Sequence, residues 1–444
     1  MSNKSLSPEE KVELLISLCK KNLLKEALLK AEIFAKEHPN NPSIHNIYGI
    51  IHSGLENYKE SIFFFLKSTK LDPNNAKTYN NLASALNNLG QFKEAILNYN
   101  KALKLNPNFA EAHFNLAKTL SDVERYEDAI ISYCKTIDLD PNFKDAYNNL
   151  IKILTFYVPK KNNTNICLIS NKLLQNVIFN YDPSSKISDS DIKSFFKTCN
   201  EIITKNKNID SLKSIETQIY RRNTTNLNCD RHFEVFNTFN VIPKFCFGCF
   251  KVLIEPNNVM DLIKLYFVFD NLNLKNDNTR KCMIELRSNI SGSYKGYIYC
   301  SSLNEANQIR DQVDETLKKK IEKSTLISVK RGCSEFAISY PEYKKINDVN
   351  SELMKYNEEW KEKEKLIDSN RSKKNILVKK KQKSLHGINV SDILIMRNWL
   401  GYAKKIGDLS YKNIIDDITT QSIIEKILSD QLLERSKQFN SYYN

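Results

Sequence analysis

Glycine is scarce in this chain: ten among 444 residues, with only two tryptophans beside them. No Gly-rich loop able to cradle nucleotide phosphates occurs, so an ATP or nucleotide-sugar fold built on such a loop is not expected. No apolar run approaches the roughly 20 residues of a membrane-spanning helix. The stretch Met1–Pro8 is polar and lacks a signal-peptide pattern. Ten cysteines without an export signal are expected as thiols or metal ligands in a reducing cytosol. The expectation is a cytoplasmic protein without membrane contact. No nucleophile, base and orienting group fall together in the sequence, so a binding protein is expected before an enzyme.

Charge is unevenly spread. Residues 1–158 carry 19 Lys/Arg against 18 Asp/Glu, and residues 159–444 carry 47 against 34, within a net charge of +14. The first part is neutral and the rest is basic. A basic body invites a polyanion such as RNA, and solubility is the plainer reading of the same bias.

What the chain does have is a repeat. Pro39, Pro73, Pro107 and Pro141 stand at an unbroken interval of 34. A fixed period of that length marks stacked helix-turn-helix units. Tyr79, Leu82, Ala83, Leu86, Ala95 and Tyr99 in one unit are matched by His113, Leu116, Ala117, Leu120, Ala129 and Tyr133 in the next. Small residues recur where two helices cross and large ones fill the gaps, so each unit buries its apolar stripe only against its neighbours. Residues 42–141 resemble the tetratricopeptide repeat family. Residues 8–39 read as a degenerate first unit that keeps Ala27 and Pro39, and 144–158 supply a further helix. The resemblance implies an all-α solenoid over 8–158 that holds a partner's peptide in its groove.

In that family the first helix of each unit lines the concave face. Asn81, Asn115 and Asn149 recur at one offset, and Lys118 and Lys152 follow three residues after the last two. An amide carries both donors and acceptors and can pair with both polar groups of a peptide unit. The three asparagines are therefore expected to hold an extended peptide by its backbone, and the two lysines to meet a carboxylate on it. The plainer reading is a wet helix face in an Asn-rich chain.

Residues 159–240 are expected to extend the helices, with Ser188 capping one that runs through Ile202 and another over Leu212–Arg222. From 241 the apolar period changes. Strands are predicted over Phe250–Glu255, Lys281–Arg287, Tyr294–Cys300 and Thr325–Arg331, with helices over Asn258–Leu272 and Leu303–Lys319. The order β-α-β-β-α-β predicts a ferredoxin-like α+β domain over 241–345. Residues 346–444 are expected to form a charged helix (Asn350–Lys374), a basic linker at Lys379–Lys383, and helices at Ser391–Leu400 and Ile414–Leu433. The fold class is thus a multi-domain chain: solenoid, α+β domain, helical tail.

Two chemistries compete in the α+β part. Cys229, His232, Cys246 and Cys249 form C-x2-H-x13-C-x2-C, a spacing that suits a tetrahedral zinc ion; buried thiols need no metal and are the alternative. Cys333, beside Arg331, is a candidate low-pKa thiol for a thiol-dependent enzyme. Lys295-Gly-Tyr-Ile-Tyr299 is similar to a signature of the RNA-recognition motif, which implies that Lys295, Tyr297 and Tyr299 face RNA on one side of a sheet. Ordinary strand propensity yields such a match as well. The leading expectation is a peptide-binding scaffold, with an RNA-binding protein or a metal- or thiol-dependent enzyme as alternatives.

Overall fold

The computed structural model describes residues 6–161, 163–179, 184–212, 216–222, 227–287, 290–321, 325–333, 335–346, 354–373, 383–415, 436–437 and 439–440. Contacts divide the chain into two units, residues 1–153 with 159–165, and residues 154–158 with 166–444.

The first unit is a run of paired helices: α1 (Pro8–Lys20) with α2 (Leu24–Glu37), α3 (Pro42–Gly54) with α4 (Tyr58–Leu71), α5 (Ala76–Asn88) with α6 (Phe92–Leu105), α7 (Ala110–Asp122) with α8 (Tyr126–Leu139), then α9 (Lys144–Leu154). Each second helix stops two residues before its proline. His38, Asp72, Asn106 and Asp140 leave helical geometry, with φ between −128° and −137°. Proline disfavours helix for the residue before it, so the period of the prolines becomes the period of the helix ends. Asn41 and Asn75 then cap α3 and α5 by accepting from the amides of Ile44 and Thr78. The tight turn inside each pair holds one residue in the left-handed region: Asn22, Glu56, Gly90 and Glu124, each 34 after the last.

Packing follows the small–large alternation. A side chain on Gly49 would meet the Phe65 ring at 2.6 Å. Ala83 and Ala117 take Gly49's place in the next units, and Tyr99 and Tyr133 take that of Phe65; all are buried. Each such ring stabilises the stack by roughly 1.5–3 kcal/mol. The degenerate first pair is a full member, because Leu15, Leu18, Ala27 and Ala31 share a core with Ile47, Tyr48 and Ile51 of α3.

The second unit contains α10 (Ile166–Gln175), α11 (Asp189–Thr204), α12 (Lys207–Asp210), β1 (Gln218–Arg221), α13 (Cys229–Phe239), α14 (Lys244–Gly248), β2 (Phe250–Glu255), α15 (Val259–Asn271), β3 (Arg280–Ile284), β4 (Tyr294–Cys300), α16 (Leu303–Lys320), β5 (Leu326–Arg331), α17 (Lys361–Lys373) and α18 (Val390–Ile406). The strands form one antiparallel sheet in the order β1-β3-β4-β2-β5. Both α15 and α16 cross between strands and pack on the sheet. Gly296 lets Leu265 and Phe269 of α15 approach β4, which marks the helix-covered side.

Two expectations are corrected. Leu212–Arg222 is not a helix: its described part carries β1, which pairs with β3 and buries Arg221 against Asp270 and Asp392. Edge pairing and that ion pair override the helical spacing read from sequence. The charged helix is shorter than expected and is not a solvated arm. It begins at Lys361, and Arg231 of α13 binds its Glu364 and Asp368 at 2.7 Å each. Cys246 lies on the short helix α14. Most of the helix expected over Ile414–Leu433 and most of the Lys379–Lys383 run lie outside the described residues.

Candidate functional site

The first helices of successive units touch one another, α3 with α5 and α5 with α7. That contact gathers them on one shared face of the stack. On it, Asn81 donates through Nδ2 to Oδ1 of Asn46 at 3.2 Å, and Asn115 does the same to Asn80 at 3.1 Å. The donors are half-buried, whereas Asn80 is buried. An asparagine amide offers two N–H groups and two acceptor lone pairs. Asn81 and Asn115 each spend one N–H on the neighbouring unit and keep a second N–H and a carbonyl oxygen.

Asn149 does not extend this ladder. The position that would accept from it is Phe114, which packs tilted against Phe143 with centroids 4.8 Å apart. The Asn149 amide instead reaches the Tyr133 hydroxyl, a phenol that burial pushes up to about 12. The in-phase triple is therefore a two-rung ladder with a detached third amide. Lys118 and Lys152 are exposed.

A second in-phase set escaped the sequence reading. Leu29, Phe63, Leu97 and Ile131 sit on the second helices at the repeat interval and are 65%, 62%, 69% and 39% exposed. The signal was present in the sequence: one apolar offset in four units has no small partner to pack on.

The cysteines converge in the second unit. The Cys229 thiol, at the start of α13, is in hydrogen-bond contact with Cys333 and with buried His232. Cys333 in turn contacts Cys246. Cys249 Sγ fills the space where a Gly332 side chain would stand. The Cys333 contact, then burial, raises Cys229, and burial raises Cys249 to about 11. Cys333 is drawn down by Cys229, but its contact with Cys246 and its burial outweigh this, so the net shift is upward. This corrects the expectation of a low-pKa Cys333. Arg331 gives its donors to the carbonyls of Tyr343 and Phe247 and lies over the Phe250 ring, so it is not an ion-pair partner for the thiolate. His232 stacks on Phe245 at 5.1 Å. Among the described residues, no three of His, Cys, Asp or Glu stand so as to hold a metal ion.

On the sheet, Lys295, Tyr297 and Tyr299 do share the face opposite α15, as alternation requires. Lys295 is buried and paired with Glu255, so its charge is already compensated.

The chain was compared with known proteins. Models of the tetratricopeptide repeat match residues 42–75, 64–96, 83–123 and 110–143. No curated protein matches the chain. Among solved structures, MamA is 25% identical over 31% of this chain and 80% of its own, with a TM-score of 0.29. MamA from Desulfovibrio magneticus RS-1 is 23% identical over 34% and 85%, with a TM-score of 0.31. YrrB, described as a tetratricopeptide-repeat protein with an unusual peptide-binding site, is 23% identical over 33% and 75%, with a TM-score of 0.29. No helix among the described residues is long and apolar enough to cross a membrane. Residues 42–143 are thus a tetratricopeptide-repeat segment, and the chain also carries a unit with an antiparallel five-stranded sheet and helices.

Proposed function

We propose that the chain is a protein-binding scaffold whose repeat segment holds an extended peptide of a partner on the face formed by α3, α5 and α7. One observation carries this reading. Asn81 and Asn115 are fixed by their neighbours yet each retains a donor and an acceptor. A side chain already held in place loses little conformational entropy when it binds, so its hydrogen bonds to a peptide backbone are gained at low cost. Lys118, one turn beyond Asn115, supplies a cation for an acidic side chain or a C-terminal carboxylate.

The second unit is read as a ferredoxin-like module with β1 added at one edge. The order β3-β4-β2-β5, with crossovers through α15 and α16, supports that reading.

The test is selection of a random peptide library on the full chain, followed by crosslinking of a selected peptide. The expected result is crosslinks to α3, α5 and α7. Crosslinks confined to Phe63, Leu97 and Ile131 on the second helices would place binding on the other face and refute the proposal.

A further inference from the structure

The sheet face opposite α15 carries an arrangement that the peptide reading does not use. Lys251 stands directly across from Tyr299, Lys281 across from Tyr297, and Tyr220 across from Lys281. The Lys251 ammonium lies 5.0 Å from the Tyr297 ring centre and the Lys281 ammonium 5.3 Å from it. Lys281 also approaches Tyr220 at 5.5 Å and Tyr299 at 6.0 Å. Its hydrogen-bond partner is the neutral amide of Gln218, at 3.0 Å. Among the described residues neither ammonium meets a carboxylate within ion-pair distance. Lys330, across from Lys251, adds an exposed cation.

Two half-buried cations sharing one ring are a costly arrangement when the nearest carboxylates, Glu335 toward Lys251 and Glu285 toward Lys281, act only from beyond ion-pair distance. Burial, and then the Lys251 charge, pulls Lys281 down to about 8. The opposite end of the same face is different. There Lys295 pairs with Glu255, and Arg287 binds Glu285 and Glu335. The excess positive charge is confined to the Tyr220–Tyr299 end.

We propose that this end of the sheet binds a mononucleotide, its phosphate between Lys251 and Lys281 and its base against Tyr299 or Tyr220. The rings supply flat faces for stacking, and the ammoniums supply charge-assisted hydrogen bonds to phosphate oxygens. A compact anion fits better than a nucleic-acid strand, because a phosphate backbone crossing the sheet would run onto the carboxylates of Glu255, Glu285 and Glu335.

Titration calorimetry on the full chain tests this, using each of the four ribonucleoside monophosphates, adenosine, inorganic phosphate and a single-stranded 12-nucleotide RNA. One or more monophosphates should saturate at one per chain, with adenosine and phosphate each at least about tenfold weaker. Lys251→Gln and Lys281→Gln should each weaken binding about tenfold, Lys281→Arg should largely keep it, and Lys93→Gln, at an exposed position of α6, should leave it unchanged. Retention by Lys281→Arg excludes a folding defect as the cause of loss. Three results overturn the proposal: no saturable monophosphate binding up to millimolar concentration, equal binding by both glutamine variants, or an RNA that binds more tightly per nucleotide than any monophosphate.

Discussion

Asn115 reaches back 35 positions to donate its side-chain amide to Asn80, linking α7 to α5 across the unit boundary. The bond ties the proposed ligand contact to the repeat lattice, so the spacing of the proposed recognition groups equals the spacing of the units. Asn81→Ala with Asn115→Ala should weaken a selected peptide about tenfold to thirtyfold, at roughly 1 kcal/mol per lost hydrogen bond. Fluorescence anisotropy with the labelled peptide measures this. Equal affinity in the double variant would show that the amides serve only the stack.

The turn inside each helix pair predicts a stabilising change. Glu124 holds φ at +61° where the equivalent position of the preceding unit is Gly90. A side chain there costs roughly 1–2 kcal/mol that glycine escapes, partly offset by glycine's greater unfolded freedom. Glu124→Gly should raise the unfolding free energy by about 0.5–1 kcal/mol, read as a higher urea midpoint, and Gly90→Ala should lower it. Opposite signs would mean that the turn is not the strained element.

Acid sensitivity should come from Glu305. Its carboxylate accepts from Asn276 and Asn278 at 2.8 and 2.9 Å and from the Ser301 amide and hydroxyl at 2.6 and 2.8 Å. Burial pushes its pKa up, but these donors outweigh that and hold it at about 2. The folded pKa lies below the ordinary value of 4.5, so the stabilisation is present above that pH and fades as pH falls toward 2. Denaturant titrations from pH 7 to pH 2 should show this loss in the wild type. Glu305→Gln should be less stable at pH 7 and should lose less on acidification. A parallel decline in both proteins would move the acid-sensitive group elsewhere.

Arg221 should be indispensable to the second unit. It is buried, paired with Asp270 and Asp392, and lies 5.0 Å from the Tyr266 ring centre. Removing it strands the buried Asp392 and takes a partner from the half-buried Asp270, a cost of about 3–5 kcal/mol. Arg221→Ala should shift the unfolding transition accordingly. A shift below 1 kcal/mol would mean that water reaches the site.

The thiols of Cys229, Cys249 and Cys333 should be sluggish. Their raised pKa values leave little thiolate at neutral pH. Alkylation by iodoacetamide at pH 7.5, read by peptide mass mapping, should modify exposed or unfolded sites first. Prompt modification of Cys333 would restore the reactive-thiol reading.

The 34-residue period alone determined the helix pairs of the first unit, because proline and the small–large alternation act locally and repeat. The strands at 250–255 and 294–300 were equally legible, since alternation records which side of a sheet each residue faces. Only tertiary structure decided the rest. Phe114 rather than an amide faces Asn149, and that depends on which residue the neighbouring unit presents. Glu255 neutralises Lys295, a partner 40 residues away, while Lys251 and Lys281 meet across β4 without one. Sequence records a residue's chemistry and its local period; whether its charge or amide is already spent depends on contacts between segments far apart in the chain.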